Sequence, residues 1–268
     1  MSAYELFQAG RLAEALATQM DAVRSKPTDL DARYLLFVLL CFSGELERAS
    51  AALNVIATRE KKLESTTILA RSLLAAEDER RQVFAEDGEP LLPPDAPEHM
   101  RLRLRALLAT RRGDPTQAAK ELDAAEEAAP RLEGSLNGRP FDALRDDDDR
   151  LGSVLEAFAG GRYMWLGLEQ IRTLRAEPPK HLIDQLWPSV ELEMVDGTTA
   201  NLFLPSMYVG SHAHADALVQ LGRRTEWEEI GEGRVRGLGQ RILLAASGDD
   251  LVETPLLELR ELRIGSEA

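Results

Sequence analysis

The residues best able to do chemistry lie in the second half of this 268-residue chain. Asp146-Asp147-Asp148-Asp149 is a run of carboxylates of the kind that can attract a divalent cation. A calcium loop, however, spaces its oxygens and bends at a glycine, and this run does neither. It reads instead as an acidic loop or a helix N-cap. His212 and His214 stand two apart beside Ser211, which would place both imidazoles on one side of a strand. No further ligand follows at a recognised spacing, so no metal is expected. Gly231, Gly233, Gly237 and Gly239 hint at a phosphate loop. They match neither the dinucleotide fingerprint nor the Walker sequence, and a loop around a sheet edge accounts for them better. Glu169 and Asp184 would make a carboxylate pair only if the fold brought them together. A Gly-x-Ser-x-Gly elbow is absent. The expectation is a protein that is not an enzyme and uses no cofactor.

Charge and cysteine usage narrow the partners. A net charge of −14 leaves no basic face for polyphosphate, so neither nucleic acid nor an anionic membrane is expected. An acidic surface favours solubility, or a partner with a basic face. Cys41 is the sole cysteine and excludes an intrachain disulfide. It sits in the apolar run Leu35 to Phe42, too short to cross a membrane and read as a buried helix. Met1-Ser2-Ala3-Tyr4-Glu5 lacks the layout of an export signal, which makes the cytoplasm the expected compartment.

The elements that must position these residues begin with a repeat. Gly10-Arg11-Leu12 with Ala15 superposes on Gly44-Glu45-Leu46 with Ala49 at an offset of 34 residues, the tetratricopeptide length. The first unit continues with Ala22 and Pro27, the second with Ile56 and with Lys61 where proline would stop the helix. A third supplies Gly113, Ala118, Ala125 and Pro130, with Pro115 in the bulky position. Glycine ends the first helix of each pair at positive φ, alanine lets the helices approach, and proline ends the second. The alternative is a bundle of ordinary amphipathic helices. Between the second and third units, the Pro- and Gly-rich stretch Glu86 to Pro97 reads as an exposed excursion.

Texture changes near residue 135. Leu151 to Phe158 reads as a short helix, whereas Tyr163 to Leu166 and Ile171 to Leu174 look extended. Pro178-Pro179 forces a turn. Val190 to Met194, Asp196-Gly197 and Thr199 to Leu204 form a hairpin signal, and Ile242 to Ala246 and Leu256 to Ile264 are further candidate strands. The expected fold class is α+β in two parts. A tetratricopeptide-like α-α superhelix over 1–134 is followed by an α+β region over 135–268 with a largely antiparallel sheet.

The second half also carries a resemblance. Asn137-Gly138-Arg139-Pro140-Phe141, Asp149-Arg150-Leu151-Gly152, Gly161-Arg162-Tyr163-Met164-Trp165, Leu186-Trp187-Pro188, Arg224-Thr225-Glu226-Trp227 and Gly237-Leu238-Gly239-Gln240-Arg241 run in order and resemble the ImpE family, also called TagJ. The helical half matches more loosely. Gly167 replaces a usual proline, and the loop Ser211 to Ala215 departs from the family's acidic form. The resemblance implies a cytoplasmic accessory protein of bacterial type VI secretion that binds the N-terminal helix of the small sheath subunit TssB and is linked to the ClpV unfoldase. A general repeat-type scaffold or chaperone with another client is the alternative.

A helix laid in a groove is held by apolar anchors three and four residues apart. Tyr34, Phe37 and Leu40 share a helical stripe that would either line such a groove or pack between neighbouring helices. Tyr163, Trp165 and Trp227 are large aromatics suited to an interface or to the core. Arg150 and Arg241 are expected to form buried pairs with the Asp146 to Asp149 run and so tie the two halves together.

Overall fold

The computed structural model describes residues 1–59 and 63–265. Among the described residues seven α-helices come first: α1 (Ala3–Gln8), α2 (Leu12–Ser25), α3 (Leu30–Phe42), α4 (Leu46–Arg59), α5 (Glu64–Ala85), α6 (Glu98–Arg111) and α7 (Pro115–Ala128). Ser2 and Glu5 form a reciprocal capping box at α1, and Asp29 and Asp114 cap α3 and α7. The three repeat glycines sit between α1 and α2, α3 and α4, and α6 and α7. Their φ values are 77°, 78° and 72° for Gly10, Gly44 and Gly113, the left-handed turn that the repeat requires. Pro27 follows the end of α2 as expected. Lys61 lies outside the described residues.

The array is interrupted. α5 is a single 22-residue helix standing between the second and third pairs. The stretch after it is pinned rather than free: Leu91 accepts a hydrogen bond from the Trp165 N–H and donates one to the Tyr163 carbonyl, both at 3.0 Å. Glu86 to Pro97 is thus a strap along the sheet, because the prolines that forbid a helix still permit one extended bridge.

The second half is antiparallel. Its strands are β1 (Gly134–Leu136), β2 (Arg139–Phe141), β3 (Ala143–Asp146), β4 (Val154–Ala159), β5 (Arg162–Gly167), β6 (Ile171–Ala176), β7 (Ser189–Met194), β8 (Thr199–Phe203), β9 (Glu226–Gly231), β10 (Arg234–Leu238), β11 (Ile242–Ser247), β12 (Asp250–Pro255) and β13 (Glu261–Ile264), with one short helix, α8 (Ala217–Gln220). They form an eight-stranded sheet in the order β2-β1-β13-β6-β7-β8-β4-β5, a three-stranded sheet β12-β11-β3 and the hairpin β9-β10. Asp196-Gly197 turns β7 into β8, with Gly197 at φ 86°.

Three local expectations are corrected. Leu151 to Phe158 is not a helix. β4 begins at Val154 and is buried from Val154 to Phe158, so the alternation that marks a half-exposed strand is missing. Leu256 to Ile264 opens with a 3-10 turn at Leu256–Glu258, and the strand spans only Glu261–Ile264. His212 lies in a 3-10 turn, Ser211–Ala213, and His214 follows it, so no strand aligns them. Gly210 at φ 90° and the Ser211 hydroxyl, which donates to the Tyr208 carbonyl at 2.6 Å, bend the chain there.

One hydrophobic cluster crosses from helices to sheet. Phe7 packs edge-on against Phe42 at 5.0 Å, and the same cluster takes in Phe37, Leu40, Phe158, Trp165 and Trp187. A second cluster, with Leu155, Leu166, Ile171, Leu243 and Leu262, stays within the sheet half.

Candidate functional site

Where the helices meet the sheet, charges are buried together. Arg80 of α5 grips Glu156 of β4 with two prongs, Nε to Oε1 at 2.7 Å and Nη2 to Oε2 at 2.9 Å, and also donates to the Met207 carbonyl. Glu156 receives the Tyr163 hydroxyl at 2.6 Å and Arg241 Nη1 at 3.1 Å. Trp165 in turn donates its indole N–H to the Tyr163 oxygen. Arg241 reaches on to Asp146 at 2.7 Å, whose other oxygen accepts from the Tyr208 hydroxyl and the Asp148 N–H. Asp148 holds Arg150, and the Arg150 guanidinium lies 5.0 Å from the ring centre of Phe84 on α5.

Burial alone would raise the carboxyl of Glu156. Arg80 and Arg241 outweigh it and hold the group down at about 2. The Arg80 guanidinium is stabilised in its charged form by Glu156 and Glu77 despite its own burial. Burial next to the Glu156 carboxylate drives the Tyr163 phenol well up. Asp147 differs: desolvation, against the pull of Arg145, pushes it up to about 6.

In this network every charged oxygen is committed to a guanidinium, a hydroxyl or a backbone N–H. The neighbouring void, between Cys41, Arg80, Trp187, Tyr208 and His212, measures about 30 Å³, the scale of one water. The arrangement holds two layers in register. Among the described residues no group of three His, Cys, Asp or Glu side chains is placed to hold a metal ion, and no helix is long and apolar enough to cross a membrane.

Arg150 and Arg241 therefore find the Asp146 to Asp149 run. The run leaves the end of β3 as the acidic loop expected and caps no helix, but Asp146 and Asp148 are fully buried in it. The tie between halves runs through Arg80, which the sequence hid in the charged stretch Glu77 to Arg81, and through Phe84 one turn further along α5. A second tie is Arg103 of α6, buried, donating to the Asp149 carbonyl at 2.7 Å and to Glu126 at 2.6 Å. Glu169 and Asp184 have separate partners: Glu169 meets His99 at 2.7 Å, and Asp184 accepts from the Lys180 and His181 N–H groups.

The segment around residues 207–224 covers the first two repeat turns. A Cβ on Gly44 would lie 2.1 Å from the His212 ring, one on Gly10 would lie 3.0 Å from Leu218, and Arg223 donates to the Phe7 and Gln8 carbonyls. Of the aromatic and aliphatic residues proposed to meet a partner, Phe37, Leu40, Tyr163 and Trp165 are at most 2 % exposed and pack in the shared core. Trp227, at 38 % exposure, lies on β9 with its ring edge-on to Tyr208 at 5.6 Å. Tyr34 is half-buried in a groove of about 370 Å³ between α1, α3 and the turn after Pro178-Pro179, beside Tyr4, Leu35, Lys180 and Leu182.

The fold is shared with a crystal structure, protein VPA1032 from Vibrio parahaemolyticus. The TM-score is 0.89 at 24 % identity, over 99 % of this chain and 98 % of that one. A curated relative, the type VI secretion system accessory component TagJ of Pseudomonas aeruginosa, is 36 % identical over 98 % of this chain and 90 % of its own length. The pattern described as "ImpE protein" matches residues 138–263, which take in Arg150, Glu156, Tyr163, Tyr208 and Arg241. This chain belongs to the ImpE family, the family of TagJ.

Proposed function

We propose that the protein is a non-catalytic accessory component of the bacterial type VI secretion system, acting in the cytoplasm as an adaptor for the N-terminal helix of the small sheath subunit TssB. Its role is linked to sheath recycling by the ClpV unfoldase. The observation that carries this reading is the 36 % identity to TagJ along nearly the whole chain.

The groove at Tyr34 is the receiving surface that fits best. It is open, it joins Tyr34 and Tyr4 to the aliphatic Leu35 and Leu182, and Lys180 stands at its rim. Apolar side chains one helical turn apart would insert between the tyrosines, while Val38 lines the floor and the buried Phe37 ring stands 5.9 Å from that of Tyr34. Trp227 marks a second exposed aromatic that contributes if the partner extends across the sheet half.

The test is capture of the sheath subunit, with and without its N-terminal segment, by the wild-type protein and by Tyr34→Asp. Binding that needs the segment and fails with Tyr34→Asp at unchanged melting temperature supports the reading. Binding that persists without the segment rules out helix recognition.

A further inference from the structure

Both edges of the large sheet are closed among the described residues. The outer edge of β5 is paired by Leu91. At the opposite end of the large sheet, the bonds from Asn137 N to Glu261 O and from Gly265 N to Glu133 O turn the odd residues of β1 toward β13. Gly134 and Leu136 therefore face β2 across from Phe141 and Arg139, which leaves Pro140 as the outward position, and proline has no N–H to offer. β12, at the edge of the three-stranded sheet, has an outward proline only at its last residue, Pro255, and among the described residues no strand is paired outside it. Leu256 N donates to Arg241 O at 2.8 Å, and in the same register Thr254, Val252 and Asp250 bond to Leu243, Ala245 and Ser247. Leu251 and Glu253 consequently aim their N–H and C=O groups away from the sheet.

That open edge borders a groove of about 680 Å³ running to the β1-β2 hairpin, and Leu251 beside it is 63 % exposed. The charges along it are one-sided: Asp250, Glu253 and Glu258 face a single guanidinium, Arg139, and among the described residues none of the four has an ion-pair partner. A second copy would bring carboxylates against carboxylates, so this edge is set against self-pairing. We propose that β12 is a docking edge for an extended, basic segment of a partner polypeptide, added as a fourth strand with lysine or arginine side chains against Asp250, Glu253 and Glu258 and apolar ones beside Leu251 and Val252. This surface is separate from the groove at Tyr34 and does not depend on it.

The probes are two end-blocked peptides, one repeating Lys-Lys-Val-Val so that each face of the added strand carries both residue types, the other repeating Glu-Glu-Val-Val. Binding is followed by fluorescence anisotropy and by amide hydrogen exchange of the full chain. The lysine peptide should saturate and slow exchange at the Leu251 and Glu253 amides by about tenfold, while the glutamate peptide should do neither. Glu253→Pro removes one outward donor and the paired variant Asp250→Lys/Glu253→Lys reverses the charge. Each should weaken binding about tenfold at unchanged circular dichroism. The paired variant keeps the test open if the proline disturbs the hairpin. Absence of saturable binding, binding without protection at those two amides, or binding indifferent to charge reversal overturns the proposal.

Discussion

Arg80 and Glu156, 76 positions apart, form a buried two-pronged ion pair that fastens helix α5 to strand β4. Removing one partner from such a pair leaves the other charged in a dry site, at a cost of about 3–5 kcal/mol. Arg80→Met should therefore lower stability by that order in urea denaturation. The double variant Arg80→Met/Glu156→Met should recover part of the loss, since no lone charge is left behind. If the single variant melts like wild type, the pair does not fasten the layers.

Acid should act through Glu156. Its carboxyl is at about 2 in the folded chain against 4.5 for the free group. A depressed carboxyl contributes stability above its unfolded value and loses it as pH falls toward the folded one. The contribution is about 3 kcal/mol, present near neutrality and fading between pH 4.5 and 2. Melting temperatures of wild type and Glu156→Gln should differ most at pH 6 to 7 and converge as pH approaches 2.

Asp147 carries the opposite sign. Its folded value of about 6 lies above its free value of 3.8, so the fold prefers it protonated and loses stability as pH rises through 6. Asp147→Asn should raise the melting temperature at pH 7.5 and leave it unchanged near pH 3. A lower melting temperature at pH 7.5 would contradict the desolvation argument.

Gly44 tests the seam between the repeat turns and the sheet half. Alanine there meets both a left-handed backbone and the His212 ring, and should cost at least about 1–2 kcal/mol. Burial, helped by Arg81, depresses the His212 imidazole. In Gly44→Ala the ring must move outward, so its titration, followed by NMR, should shift up toward the ordinary histidine value. Gly113→Ala, where nothing stands in the way, should cost only the backbone term and leave His212 unmoved.

Much of the architecture was legible because local rules and tertiary structure agree. Gly10, Gly44 and Gly113 announce their turns through a backbone need that only glycine meets cheaply, and Asp196-Gly197 announces its hairpin the same way. What stayed hidden was burial. Glu156 looks like a polar residue on a helix face, and Arg80 looks like one of several solvated charges. Only their meeting across the fold shows both to be interior. The same holds for Phe37 and Leu40, whose stripe is equally suited to a groove or a core. A sequence cannot reveal that residues 207–224 return to cover the first two repeat turns.

That covering has a consequence for how the molecule can change over generations. Solenoids ordinarily grow or shrink by whole units, because each unit answers only to its neighbours. Here the opening pair of hairpins is matched to particular side chains of the sheet half, Leu218 over Gly10 and His212 over Gly44. Inserting or deleting a unit at the front would strand those side chains, so the length of this array is locked to the shape of the sheet that closes it.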